Sequence, residues 1–596
     1  MRASAQRGRW LLTTAAATCS CAWATGLAAQ DLRRTAPPAP VAPAPAPLAT
    51  PSPEPRRPAD PNQVVVAELK GLRLVAGPGE PRPTGQSAEG VSSDIAFAAP
   101  VAPELQAFLG KPLTLGALAR IEAVVIGYYR VHHRPFVNVA APPQDVSSGI
   151  VQIVVTEYKV GAVRVLKNRW FAASLVRDAV RLKPGDPIDS TRLEADLAWL
   201  NQNPFLNVDA ITRPGAQAGE TDIDLMAHDH FPISVYAGYA NNGSPATGLE
   251  QWKFGALWGN AFGTGQQLAY QFTASPDFFT GRAARPDGST GASFMAHALT
   301  ATIQLPWRNT LQLIGDYETD HPNIGPDFAR TGYSSQASVR YIIPLPPARR
   351  FSQQLSLGYD FKSTNNNLDF GGVAVSGQST EIDQFPITYQ ATRGDRWGQT
   401  SLADTLVLSP GGLTPRNTDA AFQPGVNQTG VAFARARYAY DRVDLERDTD
   451  LPHKFSWIVR VSGQVASNNL LPSEQLNIGG METVRGYTEE IAGGAEGVLA
   501  STELRTPAVA VLFRQARPHD GDALQGDVFL DYGRVFNVHS IAGAPNAIEL
   551  ASAGLGVRYA IRNNVNLRVE YGFPLRAEPG VRHSGSFANF SITVAP

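Results

Sequence analysis

The chain has 596 residues and a formal charge of −2, with 54 glycines and 46 prolines. That length allows a large core or several domains, and the near balance of charge removes the reason to expect a nucleic acid as partner. The only cysteines are Cys19 and Cys21, so disulfide scaffolds and thiolate metal sites are excluded from everything that follows them.

Residues 1–29 read as an export signal: Arg2, Arg7 and Arg9 make a basic start, residues 10–17 are apolar, and small residues around 22–29 offer cleavage sites. A lipid anchor on Cys19 or Cys21 is the rival reading, but neither cysteine is preceded by the usual leucine-led pattern. Residues 30–62 form a Pro/Ala-rich linker, whose composition favours an extended, semi-rigid spacer. Only residues 30–35 precede the proline run, too few for a stable helix. Beyond the signal no apolar run approaches the roughly 20 residues a membrane helix needs. A mean hydropathy of −0.16 suits a soluble β-protein, and equally a barrel whose lipid-facing and water-facing residues cancel.

Two segments with the same order of elements come next. Residues 63–157 open with an apolar strand over 63–74, pass through a flexible Gly/Pro/Ser-rich insertion at 77–91, and continue in a helix over 115–132. Leu118, Ile121, Val125 and Tyr129 share one face of that helix. Strand-type runs at 136–139 and 150–155 close the segment. Residues 158–230 are more compact: a strand at 159–166, a helix at 172–180, a Pro184-Gly185 turn and a second helix at 190–201. Asp189 or Ser190 can cap that helix, with Leu193, Leu197 and Leu200 on its buried face. Strands at 205–210 and 221–226 complete a β-α-α-β-β module. Here Val160-Gly161-Ala162-Val163, Leu197-Ala198-Trp199-Leu200-Asn201-Gln202-Asn203-Pro204-Phe205 and Thr221-Asp222-Ile223-Asp224-Leu225 resemble the second polypeptide-transport-associated (POTRA) domain of two-partner secretion transporters.

Over residues 231–596 the pattern changes to short strands of period two. Leu567, Val569, Tyr571 and Phe573 alternate with Asn566, Arg568, Glu570 and Gly572; Leu555, Val557 and Tyr559 alternate with Gly554, Gly556 and Arg558. The same holds around Ile233 and Val235, Trp252 and Phe254, Leu355 and Leu357, and Trp457 and Val459. About 16 such segments can be counted, about 11 before Val484 and about 5 after Tyr487, each about ten residues long, as tilted membrane strands require. A soluble sandwich would alternate too. Arg435, Arg437, Arg460, Arg505, Arg558, Arg568 and Glu570, assigned to the opposite face, are too many charges for a dry core, and a water-filled lumen tolerates them. The fold class expected is therefore a roughly 16-stranded transmembrane antiparallel β-barrel, preceded by two periplasmic POTRA domains. Asn365-Asn366-Asn367 reads as a turn.

A loop around residues 476–497 departs from the alternation. Gly479 and Gly480 open it and Gly486 follows Arg485, so the backbone can take positive φ and fold tightly back, holding a cation on a stiff hairpin. In the strand-type run Phe529-Leu530-Asp531-Tyr532-Gly533, lipid-facing Val528, Leu530 and Tyr532 put Phe529, Asp531 and Gly533 in the lumen. The tetrad Val484-Arg485-Gly486-Tyr487 closely resembles the tip of the sixth extracellular loop of the BamA superfamily, which reaches back into the barrel. In that family a Phe-x-Asp-x-Gly strand receives the loop arginine, so the resemblance implies an Arg485 to Asp531 contact. A charge-assisted, two-pronged pair would fix the tip, with Gly533 leaving room for it. The bland alternative is a solvated arginine on a mobile loop, worth under about 1 kcal/mol. Glu503, inward by its alternation with Leu504, is a secondary partner inferred from parity alone.

Taken together, signal, modules, barrel and loop resemble a two-partner secretion outer-membrane transporter (TpsB type, haemolysin secretion and activation family, BamA superfamily). The resemblance implies a place in the outer membrane of a Gram-negative bacterium, in contact with its lipid. It implies a secreted exoprotein as unfolded client, bound by POTRA β-augmentation and passed through the barrel, with barrel assembly machinery and periplasmic chaperones serving biogenesis. A BamA- or TamA-like insertase is the alternative, although such relatives usually carry more POTRA modules; a passive porin needs neither the modules nor the loop. Two departures stand out. No plug helix can be read ahead of the linker, and the sequence ends Thr593-Val594-Ala595-Pro596 where outer-membrane strands usually end on an aromatic. No phosphate loop, His-Glu-x-x-His helix or Gly-x-Ser-x-Gly elbow is present, so neither enzyme activity nor a cofactor is expected. His132-His133 and His228-Asp229-His230 supply no convergent ligand set, and no metal is expected.

Overall fold

The computed structural model describes residue 37 and residues 58–595, apart from 78–88, 245–246, 281–291, 322–327, 347, 349, 371–372, 377–378, 426–427, 514–520, 542, 544, 563 and 577–585. The export signal, almost all of the linker and most of the insertion at 77–91 lie outside the described residues.

The first module contains β1 (Val64–Val66), β2 (Gly71–Ala76), β3 (Gly90–Ser93), β4 (Leu113–Thr114), α1 (Leu115–Val131), β5 (Val137–Ala140) and β6 (Ile150–Glu157). The single strand expected over 63–74 is two, because Leu69 turns fully into the core and its N–H donates to the carbonyl of Lys111 at 3.0 Å, bending the chain between β1 and β2. β1 pairs with β4, and the remaining strands form a sheet of order β3-β2-β6-β5. Thr114 caps α1 by accepting from the Ala117 N–H at 3.1 Å. The helix lays Ile121, Val125 and Tyr129 on Leu72, Leu74, Val151 and Ile153. The hydroxyl of Tyr129 is buried there without a hydrogen-bond partner among the described residues, and burial pushes its pKa up to about 12.

The second module runs β7 (Lys159–Leu166), α2 (Ala173–Ala179), α3 (Ser190–Leu200), β8 (Leu206–Pro214) and β9 (Glu220–Asp229). Its sheet order is β7-β9-β8, with β7 parallel to β9. Asp189 caps α3 at the Arg192 N–H, 2.9 Å away, and Leu193, Leu197 and Leu200 are buried. Asp196 on the same helix is fully buried, where it accepts from both the backbone and the guanidinium of Arg181.

The barrel begins with β10 (Ile233–Ala240), β11 (Gln251–Ala261), β12 (Gln266–Ala274), β13 (Phe294–Gln304), β14 (Thr310–Asp320), β15 (Phe328–Pro344) and β16 (Phe351–Phe370). It continues through β17 (Ser379–Gly394), β18 (Gly398–Pro410), β19 (Arg437–Asp450), β20 (Ser456–Ala466) and β21 (Glu496–Arg505). The last strands are β22 (Asp522–Phe536), β23 (Ala547–Ile561), β24 (Val565–Pro574) and β25 (Phe587–Val594). Neighbours in sequence are neighbours in space, and β25 returns to β10 to close a barrel of 16 strands. Pairing across that seam is limited to Ala237–Val594 through Ala240–Ser591, whereas β22 and β23 pair along their whole lengths. Period-two alternation gives the wall its two faces: Val528 and Leu530 are half exposed on the outer wall, while Phe529 and Asp531, alternating with them, are buried inside.

Two readings of the sequence are corrected here. Asn365-Asn366-Asn367 is no turn but lies within β16, paired with 331–333 of β15, because the two strands extend well beyond ordinary membrane-spanning length. Arg435 and Arg437 do not face the lumen. Tyr438, Tyr440 and Arg442 are the inward residues of β19, and Arg437 is exposed on the opposite side. The tyrosines had the composition of a lipid-facing strand but pack inside, which reverses the parity.

Candidate functional site: the loop inside the lumen

Between β20 and β21 the chain does not make a surface turn. Residues 467–495 fold into the barrel, with short strands Leu476–Ile478 and Ala492–Gly494 forming a two-stranded hairpin. Gly479, Gly480 and Gly486 have φ of 101°, 108° and 91°, values that side chains with a Cβ rarely adopt. At Gly486 space forbids a side chain as well, since a Cβ there would lie 2.8 Å from the backbone of Gly572 on β24. The Glu489 carboxylate accepts from the Met481 N–H at 2.7 Å and stiffens the turn.

Each residue of the tetrad has a separate task. Val484 is fully buried with Ile478, Leu499, Val535 and Leu550. Tyr487 donates its hydroxyl proton to the carbonyls of Arg576 and Ala551, at 2.7 and 3.1 Å. Gly486 permits the close approach to β24. Arg485, 3% exposed, meets Asp531 with two prongs, Nε to Oδ2 and Nη2 to Oδ1, both at 2.8 Å. Its own backbone N–H adds a third bond to Oδ2 at 3.1 Å. At the same time Nη1 donates to Glu503 at 2.8 Å and to Glu570 at 3.2 Å. The guanidinium lies over the ring of Phe529, 3.6 Å from its centroid. Gly533 makes room in the way its position suggests: a Cβ there would be 3.0 Å from both Ile478 and Val484.

The network extends past this pair. Arg505 and Arg558 also face Glu503, Arg558 and Arg568 also face Glu570, and Arg568 reaches Glu482 of the loop. Glu503, Asp527 and Glu570 lie close together, with ligand oxygens within 4.8 Å of one another, and guanidinium groups are their counter-charges. Parity marked Glu570, Arg558 and Arg568 as inward but could not say that they meet Arg485 or the loop.

A second anchor carried no sequence signal. At the root of the loop Glu474 is 1% exposed; it receives Lys362 of β16 and, at 2.9 Å, the hydroxyl of Tyr440 on β19. Gln464 of β20 donates to the Glu474 carbonyl at 3.0 Å. Leu470 and Leu471 beside it pack with Phe422, Ala434, Tyr438 and Tyr440, so part of the segment between β18 and β19 shares an apolar cluster with the loop root. The loop is thus held at its root by β16, β19 and β20 and at its tip by β21, β22 and β24. Chemically the arrangement is a non-covalent latch inside a charged lumen.

A closed antiparallel barrel with an apolar outer wall, a charged interior and a loop held inside it is the architecture of an outer-membrane β-barrel protein. The chain belongs to the family of haemolysin secretion/activation proteins ShlB/FhaC/HecB, whose family model matches residues 219–559. It is 22% identical to the heme/hemopexin transporter protein HuxB of Haemophilus influenzae (strain 86-028NP), over 79% of this chain and 80% of that protein. It is 23% identical to the outer membrane transporter CdiB-2 of Burkholderia pseudomallei, over 77% and 73% of the two chains. Among solved structures, CdiB from Escherichia coli superposes with a TM-score of 0.70 at 16% identity, covering 92% of this chain and 94% of that one. CdiB from Acinetobacter baumannii gives 0.60, also at 16% identity, over 90% and 91%. The protein is accordingly a two-partner secretion transporter of the outer membrane, with POTRA modules on the periplasmic side and a secreted exoprotein as its partner.

Proposed function

We propose that the client exoprotein arrives unfolded in the periplasm, kept so by chaperones, and adds as an extended strand to an open edge of a POTRA sheet. Backbone hydrogen bonds would supply affinity and alternate side-chain pockets selectivity. The first sheet ends in β3 and β5 and the second in β7 and β8, which offers such edges. The client then passes through the lumen while the loop carrying Arg485 is displaced. The buried contact of Arg485 with Asp531 is the observation that carries this reading, because a latch of that strength inside the passage must be released or bypassed for a chain to cross. Val484, Gly486 and Tyr487 hold the tip, and Phe529, Gly533 and Glu503 form its receiving wall. Barrel assembly machinery would insert the barrel itself.

Co-expression with a candidate partner exoprotein in a strain lacking other such transporters tests the reading. The partner should reach the medium only when this chain is present, and a chain lacking residues 63–230 should leave it in the periplasm. Equal export without the chain would remove the proposed role. The insertase alternative draws on the short β10–β25 seam; assembly of an unrelated outer-membrane barrel that depends on this chain would favour it.

A further inference from the structure

Halfway along β18, an acidic residue points out of the barrel. Thr405, Val407 and Ser409 are buried inside, which turns Leu402, Asp404, Leu406 and Leu408 outward. On β19 the buried Tyr440 and Arg442 likewise turn Ala439, Asp441, Val443 and Leu445 outward. The register sets Asp441 opposite Leu406 and Asp404 opposite Val443. The two carboxyl groups are therefore diagonal neighbours on one face, and they reach one another.

Their surroundings are apolar. Val465 of β20 stands opposite Asp441, and on β17 Tyr389 stands opposite Asp404 with its hydroxyl committed to Gln353. The outward-facing charges on the same strand lie at its ends: Arg437 at one, and at the other Arg447, which is paired with Asp395 at 2.9 Å. Among the described residues neither carboxyl has a basic partner, and the polar group that each reaches is the other carboxyl. Two adjacent carboxylates facing acyl chains repel each other and lose hydration together; one shared proton leaves a charge in hydrocarbon, and two protons still leave a polar pair in an otherwise apolar wall. A wall that meets only lipid has no use for the pair.

We infer that the outer face of β18 and β19 around Asp404 and Asp441 is a docking surface for a membrane-embedded protein segment that brings a lysine or arginine to the same depth. Charge complementarity selects this occupant. A second copy of the chain, related by a two-fold axis along the membrane normal, would bring the same carboxyls face to face. Lipid alone leaves them uncompensated. Leu402, Leu406, Val443 and Leu445 form the apolar surround that would exclude water from a buried ion pair at the centre.

The test uses the full-length chain in lipid nanodiscs with a photo-crosslinking residue in place of Leu406. The probe is a hydrophobic bilayer-spanning peptide with one lysine at the depth of Asp404, and the control peptide has leucine there. The lysine peptide should crosslink at least about fivefold more than the control. This preference should vanish in the double variant Asp404→Asn/Asp441→Asn and be absent when the crosslinker replaces Leu555 on the distant β23. Leu406→Lys, read through a crosslinker at Val443, supplies the cation within the chain, keeps both carboxyls, and should also abolish the preference; it decides the matter if the double variant does not fold. In cells, the Leu406 adduct should map to a segment with a basic residue. Equal crosslinking of both peptides, a preference that survives the substitutions, or an adduct consisting of a second copy of this chain would overturn the inference.

Discussion

Asp531 accepts three hydrogen bonds from Arg485, two from the guanidinium at 2.8 Å and one from the backbone N–H at 3.1 Å. Side chain and main chain of one residue are therefore fixed by one carboxylate, and the orientation of the loop tip is specified together with its position. Removing a single partner of such a buried pair typically costs about 3–5 kcal/mol, because the remaining charge stays uncompensated.

Arg485→Ala should leave a barrel that still shows heat-modifiable migration but lets the loop leave the lumen. The latched population should fall by roughly two orders of magnitude, read as protease access to residues 481–490 and as a marked loss of partner export. Arg485→Lys keeps the charge but loses the fork and should fall between the two. Full export by Arg485→Ala would detach the latch from transport.

Asp531→Asn should weaken the latch more than Glu503→Gln. The first removes the anion that takes three bonds, while Glu503 is shared among Arg485, Arg505 and Arg558. A double-mutant cycle on export or loop accessibility should give a larger coupling for Arg485 with Asp531 than with Glu503. The reverse order would contradict the geometry.

Gly572→Val tests the latch without touching a charge. A Cβ at 572 would sit 2.4 Å from the Gly486 nitrogen, and backbone cannot yield as a side chain does, so the tip must shift at a cost of about 1–3 kcal/mol or more. Protease access to residues 481–490 should rise as it does in Arg485→Ala, with every ion-pair residue still present.

Lys362→Met strands Glu474 at the loop root and should raise channel current in planar bilayers as the root loosens. Adding Glu474→Gln removes the stranded charge while retaining the Tyr440 contact, and should restore part of the wild-type behaviour. If the double variant is worse than the single, Glu474 is not held by the charge of Lys362.

Tyr129→Phe should stabilise the first POTRA module, or leave it unchanged, by deleting a buried hydroxyl that has no partner among the described residues, an effect of about 1 kcal/mol. The wild-type pKa is raised from 10.0 to about 12, so the folded state holds this proton more tightly than the unfolded state. That contribution to stability is complete below about pH 10 and is lost as pH rises toward 12. Denaturation curves of the protein across pH 9–12, followed by a probe in residues 63–157, should show the decline in wild type and a shallower one in the variant.

Much of this architecture was legible because its elements are periodic. Alternation of apolar and polar residues, with charges on the second face, pointed to a barrel with a charged interior, and parity along Val528 to Gly533 put Asp531 inside. Glycines around Arg485 marked a tight, backward-folding loop. Parity failed at β19, where inward tyrosines imitate a lipid-facing row and Arg435 and Arg437 were assigned to the wrong side. Turn chemistry failed at Asn365, since long strands beyond the membrane are not obliged to be apolar.

What the sequence determines by itself is which face of each strand a residue occupies, since side-chain direction follows from the backbone every second residue. It does not determine the height or the opposing wall of the barrel. Glu570 meets Arg485 from 85 residues away and Lys362 meets Glu474 across 112. Those meetings depend on strand register, tilt and closure, which arise from all 16 strands together. Only the tertiary structure therefore shows that Arg485 answers several carboxylates at once and that the loop is fastened at both ends.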